Sequence, residues 1–150
     1  MIMMSDSMKR LLKKSRKEID RVKLNGISQN LVQSTKLIKD CVIFDETNKL
    51  DENKINFVQV LKFFKDWTGY EIGCNELRIS ISEIPYQGFM YFVEKLNADL
   101  VKKYKGRKFG IILSIVNQEI DLRFHIYRAD EGLWLDKDLN KYSNPILYQI

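Results

Sequence analysis

The 150-residue chain reads as an α+β fold: N-terminal helices followed by a mostly antiparallel sheet of three to five strands, with one intervening helix. Three observations carry that reading. Apolar residues recur at helical spacing as far as Trp67. From Leu77 onward the period shortens from about 3.6 to 2. An apolar run, Phe109 to Val116, and an alternating one, Ile120 to Ile126, are then separated by only a short polar turn. The length fits one domain, residues 1–150, large enough to bury a core without metals or disulfides.

In chain order, Met8, Leu11, Leu12, Ser15, Ile19 and Val22 make one stripe of a helix from about Ser5 to Leu24. Asn25-Gly26 reads as its left-handed stop. Ser28 then caps a second helix with Leu31, Thr35, Ile38 and Val42 on one side and Cys41 beside them. Asp45 to Lys49 is a polar loop. A third helix is expected from near Asp51 to Thr68-Gly69; Ile55, Phe57, Val58, Val60, Leu61, Phe63, Phe64 and Trp67 make it too apolar all round for a surface. It is therefore expected at the centre of the N-terminal half.

Leu77, Ile79 and Ile81 alternate with Arg78, Ser80 and Ser82, the pattern of a half-buried strand. Pro85 suits the first turn of a helix carrying Phe89, Val93, Leu96, Leu100 and Tyr104, which stops at Gly106. Phe109 to Val116 is apolar on both faces, which predicts a central strand covered on both sides. Asn117-Gln118 turns the chain into its partner, with Ile120, Leu122, Phe124 and Ile126 inward and Glu119, Asp121, Arg123, His125 and Tyr127 on the outer face. After an acidic loop, Pro145 to Ile150 makes a last short strand.

Net charge is +5, and its location matters more than its size. Residues 1–24 hold Lys9, Arg10, Lys13, Lys14, Arg16, Lys17, Arg21 and Lys23 against Asp6, Glu18 and Asp20; the rest of the chain balances 17 basic against 17 acidic groups. The basic charge thus belongs to one peripheral amphipathic helix rather than to a nucleic-acid-binding body. Such a helix packs its apolar stripe and solvates its cations, or meets phosphates, or lies on an anionic membrane, for which it lacks an aromatic anchor. Composition excludes disorder, collagen-like repeats and a disulfide scaffold. No run has the roughly 18 apolar residues of a membrane span. Met1 to Met4 is too short for the apolar core of a secretory signal, so a cytoplasmic protein is expected, with Cys41 and Cys74 as reduced, small apolar residues.

No residue pattern names a reaction. His125 shares a strand face with Asp121, but residues four apart on a strand lie about 13 Å apart, too far for one to orient the other. That face reads more simply as solvated or partner-facing. No nucleophile elbow, phosphate-binding glycine loop, metal-ligand cluster or cofactor motif is present, and the sequence points away from an enzyme. The acidic loop is the sharper feature. Asp130, Glu131, Asp136 and Asp138 surround Leu133-Trp134-Leu135. A Trp ringed by carboxylates fits an anchor for a basic partner, and equally a lid over the open end of the sheet.

The stretch from Leu122 to Leu147, LRFHIYRADEGLWLDKDLNKYSNPIL, resembles the C-terminal end of small bacterial immunity proteins. These are the inhibitors encoded beside polymorphic or contact-dependent growth inhibition toxins. The resemblance covers about a sixth of the chain and implies a cytoplasmic protein that binds a cognate toxin as a heterodimer, blocking its active site or its access to substrate. The expected interface is the loop Asp130, Glu131, Trp134, Asp136 and Asp138 with the outer strand face Asp121, Arg123, His125 and Tyr127. Overall basic charge departs from the acidic surfaces common among inhibitors of nuclease toxins. The competing expectation is a nucleic-acid-binding regulator using the helix from Lys9 to Lys23.

Overall fold

Residues 1–14 and 18–150 are described in the computed structural model. The elements begin with β1 (Ile2–Met4), α1 (Asp6–Lys13), α2 (Arg21–Gln33), β2 (Thr35–Ile38) and β3 (Cys41–Phe44). They continue with α3 (Phe57–Phe64), α4 (Trp67–Cys74), β4 (Glu76–Ser80) and α5 (Phe89–Lys103). Strands β5 (Phe109–Val116), β6 (Glu119–Ile126) and β7 (Ile146–Gln149) complete the set. One antiparallel sheet runs β1-β7-β5-β6-β4, and β2 and β3 form a separate hairpin. The class is α+β, as the periodicity predicts. Among the described residues no helix is long and apolar enough to cross a membrane.

The β5–β6 hairpin sets the register. Asn117 and Gln118 both have positive φ, 51° and 61°, the twist that a two-residue turn needs between right-twisted strands. Ile111 then faces Phe124, Leu113 faces Leu122 and Ile115 faces Ile120. Alternation sends these pairs to one side, where Phe89, Phe92, Val93, Leu96 and Leu100 of α5 and Leu24, Leu31 and Val32 of α2 bury them. On the opposite side Ile112, Ile146 and Tyr148 pack beneath Ile72 of α4 and Leu139, with Leu133 and Leu135 beside them. β5 is therefore central and covered on both faces, as expected.

The N-terminal half departs from the sequence reading at four places. The expected helix from Ser5 to Leu24 is two helices; α2 starts afresh under Asp20, whose carboxylate accepts the Lys23 N–H at 3.1 Å. Ile19 and Val22, expected on a buried stripe, are exposed, and Ser15, Arg16 and Lys17 lie outside the described residues. Asn25-Gly26 does not stop a helix but sits within α2, where the Asn25 side chain accepts the Tyr91 hydroxyl of α5 at 2.6 Å. Packing against α5 overrides the local turn preference. Ser28 is not a cap either; it is buried and donates to Asp99 at 2.7 Å.

Thr35, Ile38 and Val42, read as a helical stripe, form instead the β2–β3 hairpin, turning at Lys39 and Asp40 with φ of 49° and 61°. The expected helix from Asp51 to Gly69 is broken at Lys65, which has φ 73°, and Asp66 restarts the chain as the cap of α4 by accepting the Gly69 N–H at 2.7 Å. A Cβ at Gly69 would lie 2.6 Å from the Phe64 carbonyl, so only glycine lets α4 pass so close to the end of α3. Nor is α3 central. It has no buried residue, and its Phe57, Val60 and Phe64 only back the small cluster of Ile38, Cys41, Ile43 and Tyr70 under the hairpin. Met1 to Met4, unassigned by periodicity, supplies the edge strand β1.

Gly26 has open space where a Cβ would sit and a helical backbone around it. Gly26→Ala is expected to stabilise the fold by about 0.5–1 kcal/mol, chiefly by restricting the unfolded chain. Urea unfolding checks this: the midpoint rises while the slope is unchanged.

Candidate partner-binding surface

The polar residues of α4 fall at helical spacing on the side facing the sheet. Glu71 and Asn75 are fully buried there. The Glu71 carboxylate accepts the Val42 N–H at 2.8 Å, the Ile126 N–H at 3.0 Å and Arg128 Nη1 at 2.6 Å. Asn75 donates to the carbonyls of Val42 at 2.7 Å and Phe124 at 3.1 Å and accepts the Phe44 N–H at 2.8 Å. These bonds hold the β2–β3 hairpin, α4 and β6 together. Burial pushes the Glu71 carboxyl up to about 7, with the charge and hydrogen bond of Arg128 opposing it.

Glu131, one of the expected interface residues, serves the same junction. Its carboxylate accepts the amides of Trp67 at 3.2 Å and Thr68 at 2.9 Å and the Thr68 hydroxyl at 2.6 Å, so it caps α4 from outside the helix. Burial raises its carboxyl, but these donors together with Arg128 outweigh that and hold it below its ordinary value. Glu71, Cys41 and His125 crowd around Arg128, yet all three are fully buried and bound to their own fold. Burial pushes the Cys41 thiol up to about 12, leaving no thiolate nucleophile.

His125 does not line an outer face open to a partner. It is fully buried, and Asp121 nearly so, because the chain after β6 folds back over that side of the sheet. The Ile126 carbonyl, 2.8 Å from Nδ1, only accepts, so Nδ1 carries the proton. Nε2 therefore accepts the Tyr148 hydroxyl at 2.8 Å, and that hydroxyl oxygen accepts the Trp134 N–H at 3.2 Å. This chain of bonds moors the Trp134 loop to the sheet. Opposite His125 stands Gly110, where a Cβ would collide with the imidazole. Burial depresses the His125 pKa and keeps the ring neutral.

The fold does bring Trp134 together with Asp121 and Arg123. A cleft of about 90 Å³ lies between Trp134 and Leu135 of the loop and Asp121 and Arg123 of β6, with buried Ile112 and Ile146 beneath. Beside it, charges alternate across β4 and β6: Arg123 reaches Glu76 and Asp121, each at 3.3 Å, and Arg78 lies 3.8 Å from Asp121. Trp134 is 39% exposed, with one edge of its ring beside Gly69 of α4. Tyr127 is half-buried under Lys108 and packs against the cluster beneath the cleft without lining it.

Most loop carboxylates are engaged within the loop. Asp136 accepts Lys141 at 2.9 Å and the Asp138 N–H at 2.8 Å, and the Lys141 hydrogen bond holds its carboxyl below the usual range. Asp138 caps the turn at Leu139–Lys141. Asp130 is exposed and makes no side-chain hydrogen bond or ion pair among the described residues. Tyr142, exposed beside these groups, accepts the Asp136 N–H through its hydroxyl at 2.9 Å. Sequence reasoning missed Tyr142, Tyr148, Arg128, Glu71 and Asn75. Only the spacing of Thr68, Glu71 and Asn75, one helical face of polar groups inside an apolar stretch, signalled any of them. Among the described residues no group of three or more His, Cys, Asp or Glu is arranged to hold a metal ion.

A histidine with a depressed folded pKa stabilises fully above its unfolded value near 6.5, and that stability is lost as pH falls below it. Glu71, raised above its unfolded value, acts in the opposite sense and is present in wild type and variant alike. The stability difference between wild type and His125→Gln therefore isolates the histidine. Denaturant titrations at pH 7 and 5 are expected to show wild type losing up to about 1.4 kcal/mol per pH unit more than the variant.

Comparison with curated proteins and with solved structures returns no match. The model of one protein family matches residues 3–150, nearly the whole chain. The chain belongs to that family, the uncharacterized protein PM0498 family.

Proposed function

We propose that the chain is an immunity protein that binds a cognate bacterial toxin domain in the cytoplasm and neutralises it, by covering its active site or blocking its substrate. The observation that carries this reading is the exposed, moored Trp134 beside the cleft with Asp121 and Arg123. An aromatic held at a fixed position, half desolvated and rimmed by charge, has the character of an interface anchor. Its immobilisation through Tyr148 and His125 lowers the entropy lost on binding. Exposed Tyr142 and Asp130 extend the same surface. The resemblance of Leu122 to Leu147 to immunity proteins supplies the partner class.

His125 is withdrawn from the contact set by burial, and Glu131 and Asp138 are engaged as caps. The partner-facing residues in this reading are Trp134, Arg123, Asp130, Asp136 and Tyr142. Asp130 is the clean charge probe, since replacing Asp136 would disturb the loop itself. The test is co-expression with the protein encoded by the adjacent upstream gene. The expected result is a neighbour toxic alone, harmless with this chain, and recovered with it one to one. Trp134→Ala with Asp130→Lys is expected to weaken the complex by several kcal/mol, about 100-fold or more in Kd. A harmless neighbour that does not co-purify removes this reading.

A second reading rests on α1, whose exposed side carries Lys9, Arg10 and Lys13, with Lys14 exposed at its C-cap. That row favours an anionic partner such as nucleic acid. Met8 is fully buried and β1 belongs to the sheet, so deleting the N-terminus would damage the fold; charge reversal is the sound test. If α1 contacts phosphates, Arg10→Glu with Lys13→Glu and Lys14→Glu abolishes binding to duplex DNA, and the wild-type log–log salt slope is about −3.

A further inference from the structure

We infer that the cleft beside Trp134 takes a neutral carboxamide, the side chain of a glutamine or asparagine on the partner protein. The inference rests on Trp134 marking a partner-binding surface, and not on that partner being a toxin. Ser114 of β5 and Asp121 of β6 are cross-strand neighbours lining the cleft, and Ile112 and Arg123 are the next pair along. The Asp121 side chain is only 8% exposed, yet among the described residues no backbone N–H donates to it. Its hydrogen bonds come from Arg123 alone, at 3.3 and 3.5 Å. Charge-assisted bonds of this kind ordinarily lie at about 2.7–2.9 Å, so the carboxylate keeps unused capacity to accept. The Ser114 hydroxyl makes no hydrogen bond among the described residues. Arg123 is engaged through Nε and Nη2, which leaves Nη1 to donate.

Charge decides what such a cleft accepts. Asp121 and Glu76 balance Arg123 and Arg78 within one cluster, and Asp136, next to Leu135, is paired with Lys141. Glu119, the next outward residue of β6, is exposed to water and does not line the cleft. An ion of either sign would therefore lose hydration without meeting a net opposite charge. A purely apolar side chain would cover Asp121 and the Ser114 hydroxyl and leave both short of partners. A carboxamide avoids both penalties. Its N–H groups donate to Asp121, its oxygen accepts from Ser114 or from Arg123 Nη1, and its stem lies against Trp134 and Leu135. At about 90 Å³ the cleft has the volume of roughly three waters, which matches the three heavy atoms of a carboxamide.

Propionamide, propionate and propionamidinium share a tail and a planar head and differ only in charge. Each is titrated into the isotopically labelled full chain and followed by amide and indole chemical shifts. Propionamide is expected to shift Ser114, Asp121, Arg123 and the Trp134 indole, with both ions about tenfold weaker or more. Ser114→Ala is expected to weaken propionamide several-fold while leaving the urea midpoint unchanged, since that hydroxyl bonds nothing in the fold. Asp121→Asn leaves a positive excess and is expected to move the preference to propionate; Arg123→Met leaves a negative one and moves it to propionamidinium. Arg123 is part-exposed, so its variant keeps the test decisive if Asp121→Asn does not fold. Failure of propionamide to shift these residues, an ion binding the wild type as tightly, or an unchanged order of the three probes in the charge variants each overturns the proposal. The toxin reading is judged apart from this. A harmless neighbour removes the toxin and leaves the propionamide result standing, whereas a toxin complex weakened by Trp134→Ala but not by Ser114→Ala removes the carboxamide alone.

Discussion

A buried carboxylate organises much of this fold. Glu71 stands where the β2–β3 hairpin, α4, β6 and the chain leaving β6 converge, and it accepts a hydrogen bond from three of them at once. Removing the carboxylate would strand the Val42 and Ile126 N–H groups and leave Arg128 Nη1 with the Thr68 hydroxyl and the Ile126 carbonyl at 3.4 and 3.3 Å. The cationic partner Arg128 also donates to the Asp40 carbonyl at the hairpin turn. Asn75, one turn further along α4, repeats the arrangement with neutral groups. The hairpin does not extend the five-stranded sheet; Glu71 and Asn75 tie it to β6, Val42 packs in the main core, and the cluster around Tyr70 holds it to α3 and α4.

That dependence explains why the candidate surface has the shape it does. Arg128 and Glu131 fasten the start of the C-terminal loop to α4, and Tyr148 fastens its middle at Trp134. A loop without regular structure is thereby held at both points over the outer face of the sheet. Its carboxylates divide accordingly. Those nearest α4 serve the fold, those around Lys141 serve the loop, and Asp130 is left to solvent.

The C-terminal half was the more legible in sequence because its signals are long and local. β5 is apolar on both faces over eight residues, β6 alternates over eight, and α5 keeps one apolar stripe over four turns. The N-terminal half misleads because its spacings fit two structures. Thr35, Ile38 and Val42 fall three and four apart, as on a helix, while the turn that makes them strands uses Lys39 and Asp40 without a glycine. Lys65 breaks α3 from α4 in the same unannounced way. At the candidate surface, Trp134, Asp121 and Arg123 were legible as a group. The burial of His125 was not, since the segment that covers it has no periodicity to betray where it lies.

The strand order has a consequence for how the protein is made. β7 leaves the ribosome after every other element, yet its place is between β1, made first, and β5. Until it emerges, β1 has no partner and one side of β5 stands open, an unpaired edge of the kind that recruits other chains. Joining them requires closure across almost the full length of the chain, which is slow. The sheet of a nascent molecule is therefore built from one side, as β4, β6 and β5, and waits for its final strand to bring the N-terminus in.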